Sequence, residues 1–262
     1  MLRALKTAAL GMTAQQLNVD VIANNLANVN TTGFKKSTIE FQDLLYTTMQ
    51  TGETDGREGH DNPGKIQVGL GNRPISTFRS FSQGNITETG NPLDIAINGK
   101  GFLQVEMPNG TFAYTRDGAL KINAQGEVVT NSGLKVFPEI TVPENASGIL
   151  ISQDGVVSVQ IAGQPETEEV GQLELVTFMN PAGLEAVGGN LFVETEASGT
   201  PIFRVPGEED MGLVVQGYLE KSNVDVAQEM IDLIVAQRAY EINSKAVRTA
   251  DELLSMINNL KR

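Results

Sequence analysis

The chain has 262 residues, 40% hydrophobic and 19% charged, the balance of a folded protein with a buried core rather than of a disordered chain. Its net charge of −13 excludes a generic electrostatic grip on nucleic acid or anionic lipid, since both need clustered Lys and Arg. It has no cysteine and a single histidine, His60, which excludes disulfides, thiol catalysis and Cys-ligated zinc or iron–sulfur sites.

The opening "MLRALKTAALGMTAQQLNVDV" superficially resembles a signal peptide. Lys6 interrupts its apolar run and Gln15–Gln16 end it, while the helical pattern continues past any cleavage point, so it reads as mature structure. No run approaches the roughly 20 apolar residues of a membrane span. Leu5, Met12, Val19 and Leu26 stand seven apart, and Ala8, Gln15, Ile22 and Val29 follow each by three. That is the a/d seam of a coiled coil with one polar exception, Gln15. Leu10, Ala14, Leu17 and Val21 form a second apolar stripe, so this helix is expected to be buried on two sides. The stretch "VIANNLANVNTTGFKK" carries Asn24, Asn25, Asn28 and Asn30, poor helix-interior residues. Gly33 is expected to cap the helix, with Lys35 and Lys36 just past its negative end.

From Gly33 to Lys65 the texture changes. "FKKSTIEFQDLLYTTM" has helix or strand potential, and "QTGETDGREGHDNPGK" is a polar, Gly-rich loop without periodicity. His60 lies among Glu53, Asp55, Glu58 and Asp61, but their order does not match a calcium loop. "GLGNRP" from Gly69 lacks the third glycine of a dinucleotide fingerprint. From 66 to 222 short alternating runs are split by turns, with a hairpin at Pro108–Asn109–Gly110 and further turns every 8–12 residues. This predicts an all-β unit. No Ser–His–Asp arrangement is available, and Asp94 after Asn–Pro is turn chemistry, so no enzyme activity, metal site or cofactor is expected.

The C-terminal segment repeats the pattern of the first. Val226, Leu233, Tyr240, Val247 and Leu254 are seven apart, with Ala236, Asn243, Ala250 and Ile257 at the d-like positions. Ser222, Asn223 and Asp225 mark its start, and no Gly or Pro interrupts it from Val224 to Leu260. The expected fold class is therefore α+β. Its long N- and C-terminal helices pair as a coiled coil (1–32 with 223–262), followed inward by a linker with an extended polar loop (33–65) and a β-rich outer domain (66–222). The helices carry more apolar surface than one intramolecular pair can hide, which points to a self-assembling structural subunit. In such a subunit Asn24, Asn25 and Asn28 are expected to hydrogen-bond to neighbouring copies and fix their register.

"IANNLANVNTTGFKK" closely resembles the N-terminal signature of the bacterial flagellar rod and hook proteins, and "GYLEKSNVDVAQEMIDLIVAQRAYEINSKAV" resembles their C-terminal motif. "GNPLDIAINGKGFLQV" and "YTRDGALKINAQGEVVTNSG" are similar to the family's common core domain. Within the family, "TFMNPAGLEAVGGNLFVET" and the length point to the distal part of the rod, with a proximal-rod or hook-type subunit as the alternative. A secreted β-domain adhesin or ligand-binding oligomer is the reading from another class. The resemblance implies a subunit of a helical tubular drive shaft that transmits torque from motor to hook and encloses the export channel. It further implies passage through the flagellar type III system without a cleaved signal, and a place in the basal body from periplasm to outer membrane. The implied partners are further copies of the chain, proximal rod proteins below, hook protein above, peptidoglycan and outer-membrane ring proteins around, and a rod cap during assembly. In such rods the segment around Thr47, Gly52, Asp55, Gly59, His60, Pro63 and Lys65 is implied to stiffen the shaft.

Overall fold

The computed structural model describes residues 2–49, 66–161, 167–208 and 210–260. The described chain is α+β: helix α1 (Leu2–Ala27), a long succession of strands, and helix α2 (Val226–Leu260). It divides into two compact units. One holds 1–26, 37–78 and 226–262; the other holds 27–36 and 79–225. The boundaries differ from the expected 33–65 linker and 66–222 domain because Ser37–Asp43 and Tyr46–Met49, inside the expected linker, are strands. In "STIEFQD" apolar and polar residues alternate with the strand period of two. Ser37–Asp43 pairs with Asn72–Arg79, and Tyr46–Met49 pairs antiparallel with Ile66–Gly69. Leu44 N–H donates to the Gly71 carbonyl at 2.8 Å, so the two pairs run on as one ribbon.

The larger unit is built, among the described residues, on a nine-stranded sheet. Phe102–Glu106 lies at its centre, paired antiparallel with Phe112–Thr115 on one side and with Lys135–Phe137 and Leu175–Thr177 on the other. The hairpin at 108–110 forms as its sequence demands: Gly110 takes φ +78, and the Asn109 side-chain oxygen accepts from Thr111 N and Oγ1. A three-stranded sheet, Ala146–Ile151, Val156–Ile161 and Thr167–Gln172, packs its inner face into the same core. That core includes Ile95, Leu103, Val105, Val159, Leu175 and Val214, each at most 1% exposed. A second cluster stacks Phe81, Phe102, Phe178 and Phe192 edge to face, with ring centroids 5.2–6.1 Å apart.

Two corrections concern the end of α1. The helix stops at Ala27, six residues before Gly33, so Val29 lies in the turns that follow and not in a helical seam. Asn28 closes that turn, its carbonyl accepting from Thr31 N and its side-chain oxygen from Thr31 Oγ1. Gly33 (φ +66) is required for a different reason: a Cβ there would come within 2.7 Å of the backbone of Arg116 and Asp117.

Lys35 is expected just past the negative end of the helix. It is instead 1% exposed, with Nζ 2.6 Å from Glu220 Oε1 and donating to the Ser82 carbonyl at 2.8 Å. Arg116 Nη1 lies 3.3 Å from Glu220 Oε2, and Gly84 N–H donates to Oε1 at 2.8 Å. One buried carboxylate thus serves two buried cations. Burial pulls the Lys35 ammonium below the usual lysine range, against the opposing pull of Glu220. Beside this cluster Asn223 ties three passages of chain together: its oxygen accepts from Lys36 N, and its amide donates to the Ser80 and Ser82 carbonyls.

Candidate assembly interface

Within the helical unit, α1 and α2 run antiparallel. Asn25 Nδ2 donates to Glu229 Oε2 at 3.1 Å, and a Cβ on Gly11 would stand 2.9 Å from Asn243 Nδ2. These two contacts are fourteen residues apart on each helix, two heptads on both partners. The line of closest approach on α2 is therefore Glu229, Ala236, Asn243 and Ala250. Ala236 is 1% exposed, and Asn243 and Ala250 share its d-like line. Small or polar side chains on this line let the helices approach.

The larger seam residues flank that line rather than fill it. Ile22 is buried, and Leu5, Met12, Val19, Leu26, Leu233, Val247 and Leu254 are half-buried. Val226 and Tyr240 are each 42% exposed, contrary to their place in the expected seam. Val19 and Tyr240 line an open cavity of about 430 Å³ together with Gln16, Gln237 and Glu241, so the helices do not close there. The second stripe of α1 is partly covered within the chain: Ala14 is buried, and the Leu10 side chain packs 3.2 Å from the Cβ position of Gly71.

Asn25 departs from its expected role between copies. It is 1% exposed, its amide donates to the Ser37 carbonyl as well as to Glu229, and its oxygen accepts from Ser37 N. Three hydrogen bonds are made inside one chain, so this asparagine locks α1 to α2 and to the start of the ribbon. Asn24 is exposed and Asn28 is half-buried.

The surplus apolar surface lies mainly on α2. Met230, Ile231, Ile234, Val235, Ile242, Leu253, Met256 and Ile257 are 38–65% exposed. At about 100° per residue all of them but Ile257, the next residue of the Glu229–Ala250 line, fall on the opposite side of the helix. The ribbon adds Leu45 at 83%, Ile75 at 59% and Tyr46 at 56% exposure. Thr47 lies half-buried in the ribbon strand Tyr46–Met49. Gly52, Asp55, Gly59, His60, Pro63 and Lys65 lie outside the described residues. Among the described residues no group of acids and histidine could hold a metal, and no helix is long and apolar enough to cross a membrane.

The sequence signalled the α2 heptads but not Lys35, Arg116, Glu220 or Glu229, whose partners lie 104–204 residues away. Their only local signal is a charge inside an otherwise apolar or turn context.

Three family models match segments of the chain: the flagella basal body rod protein model over residues 5–35, the flagellar hook protein FlgE/F/G D1 domain over 96–159, and the flagellar basal body rod FlgEFG protein C-terminal model over 215–260. The chain is 53% identical to the flagellar basal-body rod protein FlgG of Borreliella burgdorferi, covering 100% of both chains. It is 49% identical to that of Caulobacter vibrioides over 99% of this chain and 100% of the relative. It is 40% identical to that of Bacillus subtilis over 100% of both.

Proposed function

Because the chain belongs to the family of flagellar basal-body rod proteins, we propose that its helical unit forms the wall of a tube in which the exposed face of α2 is covered by further copies. The chain is a structural subunit of the distal rod and not an enzyme. The observation that carries the proposal is the α2 face itself: seven large apolar side chains, from Met230 to Met256, left open on one side of a 35-residue helix. A monomer exposing such a continuous face has an incomplete fold, and a second helix laid along it restores the missing burial.

In this reading α1 and α2 act as a coiled-coil pair held in register by Asn25–Glu229. Asn24 and Asn28 meet neighbouring copies, as do the large residues flanking the seam. The tube encloses the export channel, the β unit faces the surrounding peptidoglycan and outer-membrane rings, and proximal rod and hook proteins continue the shaft at either end. The segment around Thr47 to Lys65 is the proposed stiffening element. Export through the flagellar type III system without signal cleavage and a rod cap during growth complete the reading.

The pair Ile234→Asp and Ile242→Asp tests it. Each adds a charge to an exposed position, so the monomer keeps its fold, but the covered interface then buries an unpaired carboxylate at a cost of several kcal/mol. Sedimentation and electron microscopy should show folded subunits that no longer polymerise. Rods of normal length from this variant would overturn the assignment of the α2 face.

A further inference from the structure

Each helix of the helical unit carries a second heptad line on its back. On α1 the line of contact through Gly11 and Asn25 is repeated two residues further on by Thr13 and Ala27, with Asp20 between them and Lys6 a heptad before. Two residues turn a helix by about 200°, so this line faces away from α2, and its four side chains are exposed. Ala9 and Ala23 beside it are exposed as well. The back of α1 is therefore a face of mostly small side chains with one cation, Lys6, and one anion, Asp20.

On α2 the same step of two residues from Glu229, Ala236, Asn243 and Ala250 gives Ile231, Arg238, Lys245 and Glu252. All four are exposed, and they run through the open apolar face beside Val235 and Ile242. Arg238 reaches Glu241 at 2.8 Å, but both side chains are more than half exposed and such a pair contributes little. Lys6, Asp20 and Glu252 make no ion pair or hydrogen bond among the described residues.

We propose that the back of α1 is the surface of a second copy that covers the open face of α2, antiparallel, with Asp20 opposite Arg238 and Lys6 opposite Glu252. Lys6 and Asp20 are two heptads apart, as are Arg238 and Glu252, so one register closes both pairs. The same register seats Ile231 on Ala27 and Val235 on Ala23, large side chains against small ones. Sliding α2 by a heptad one way sets Lys6 against Lys245, and sliding it the other way leaves one opposite pair. Parallel helices reach at most one in any heptad register. The contact joins two different surfaces, so it is head-to-tail and propagates. It gives every α1 two antiparallel neighbours, its own α2 and another copy's, as copies pointing the same way along a tube require. Asp20 stands level with Ile234 of its own chain and with Arg238 of the next, a stagger of about 6 Å. The inference rests on the reading in which further copies cover α2, and names the surface they use.

The chain has no cysteine, so introduced thiols report this contact alone. Thr13 and Lys245 fall opposite each other across copies, whereas within one chain they lie on the outer sides of the two helices. Full-length Thr13→Cys and Lys245→Cys chains, mixed and oxidised after polymerisation, should form a disulfide-linked dimer, and the double variant a ladder of covalent oligomers. Asp20→Arg or Arg238→Asp alone should raise the concentration needed for polymerisation about tenfold, and the two together should bring it back to within about threefold of the parent. Rods that yield no cross-linked dimer, or a double reversal that polymerises no better than either single one, would overturn the assignment to α1. The variant carrying Ile234→Asp and Ile242→Asp, run beside these, separates the two readings. If it polymerises, the cover of α2 by other copies is what fails; if it does not and the cross-link is absent, only the α1 surface fails.

Discussion

The two units of this chain solve the burial problem differently. The β unit closes on itself, with a continuous apolar core, an aromatic cluster and a satisfied buried carboxylate between two cations. In the helical unit, among the described residues, the buried positions are mostly small or polar: Ala8, Ala14, Asn25, Ser37, Glu229, Ala236 and Ala250, with Ile22 as the large apolar exception. Its big side chains face outward. One unit is finished as a monomer, and the other is finished only in company. Stability should therefore reside in the β unit and assembly in the helices, which a graded set of substitutions can separate.

The largest expected effect is at Glu220. Glu220→Ala strands Lys35 and Arg116 as buried cations and should cost about 3–5 kcal/mol in denaturant unfolding of the β unit. A loss below about 1 kcal/mol would mean that water reaches the cluster. Asn25→Ala comes next, leaving Glu229 and the Ser37 backbone groups short of partners. It should cost about 1–3 kcal/mol, read as faster amide exchange in α1 and α2 while the β-unit amides keep their protection. Loss of protection in both units together would erase the distinction drawn between them.

The smallest effect is a pH dependence confined to the β unit. Burial, reinforced by the nearby Glu194 carboxylate, pushes the Tyr114 phenol up from 10.0 to about 12. In the unfolded chain it ionises near 10, whereas in the folded chain it keeps its proton until about 12. The unfolded state therefore binds fewer protons in that window. Stability contributed by Tyr114 is fully present below pH 10 and is lost as pH rises toward about 12. Tyr114→Phe should flatten the alkaline limb of the unfolding profile and remove from the tyrosinate absorbance curve the titration that ends near pH 12.

Much of this contrast can be read from residue order, because it is periodic. The heptad spacing through Ala236, Asn243 and Ala250 marks a helix contact face, and alternation with Asn–Gly turns marks the hairpins around Phe102–Glu106. Position alone does not say which of two adjacent heptad lines touches. The contact fell on the small and polar line because side-chain size, and not hydrophobicity, limits how near two helices come. Asn25 reads as a contact between copies because its partner Glu229 is 204 residues away. Lys35 looked like a helix-end charge for the same reason. Gly33 looked like a cap, while its real constraint is the backbone of Arg116 pressed against it. Long-range pairing leaves no period in the sequence.

One feature gains meaning from the path of the chain. The polypeptide passes between the two units four times, at 26–27, 36–37, 78–79 and 225–226. Lys36, Ser80 and Asn223 each stand within a few residues of one of these passages, and the Asn223 carboxamide stitches all three together. A single strand is a swivel, because free rotation about its bonds lets one end spin while the other stays still. Within the β unit, three passages fastened at one side chain lose that freedom together, because Asn223 holds each against the others.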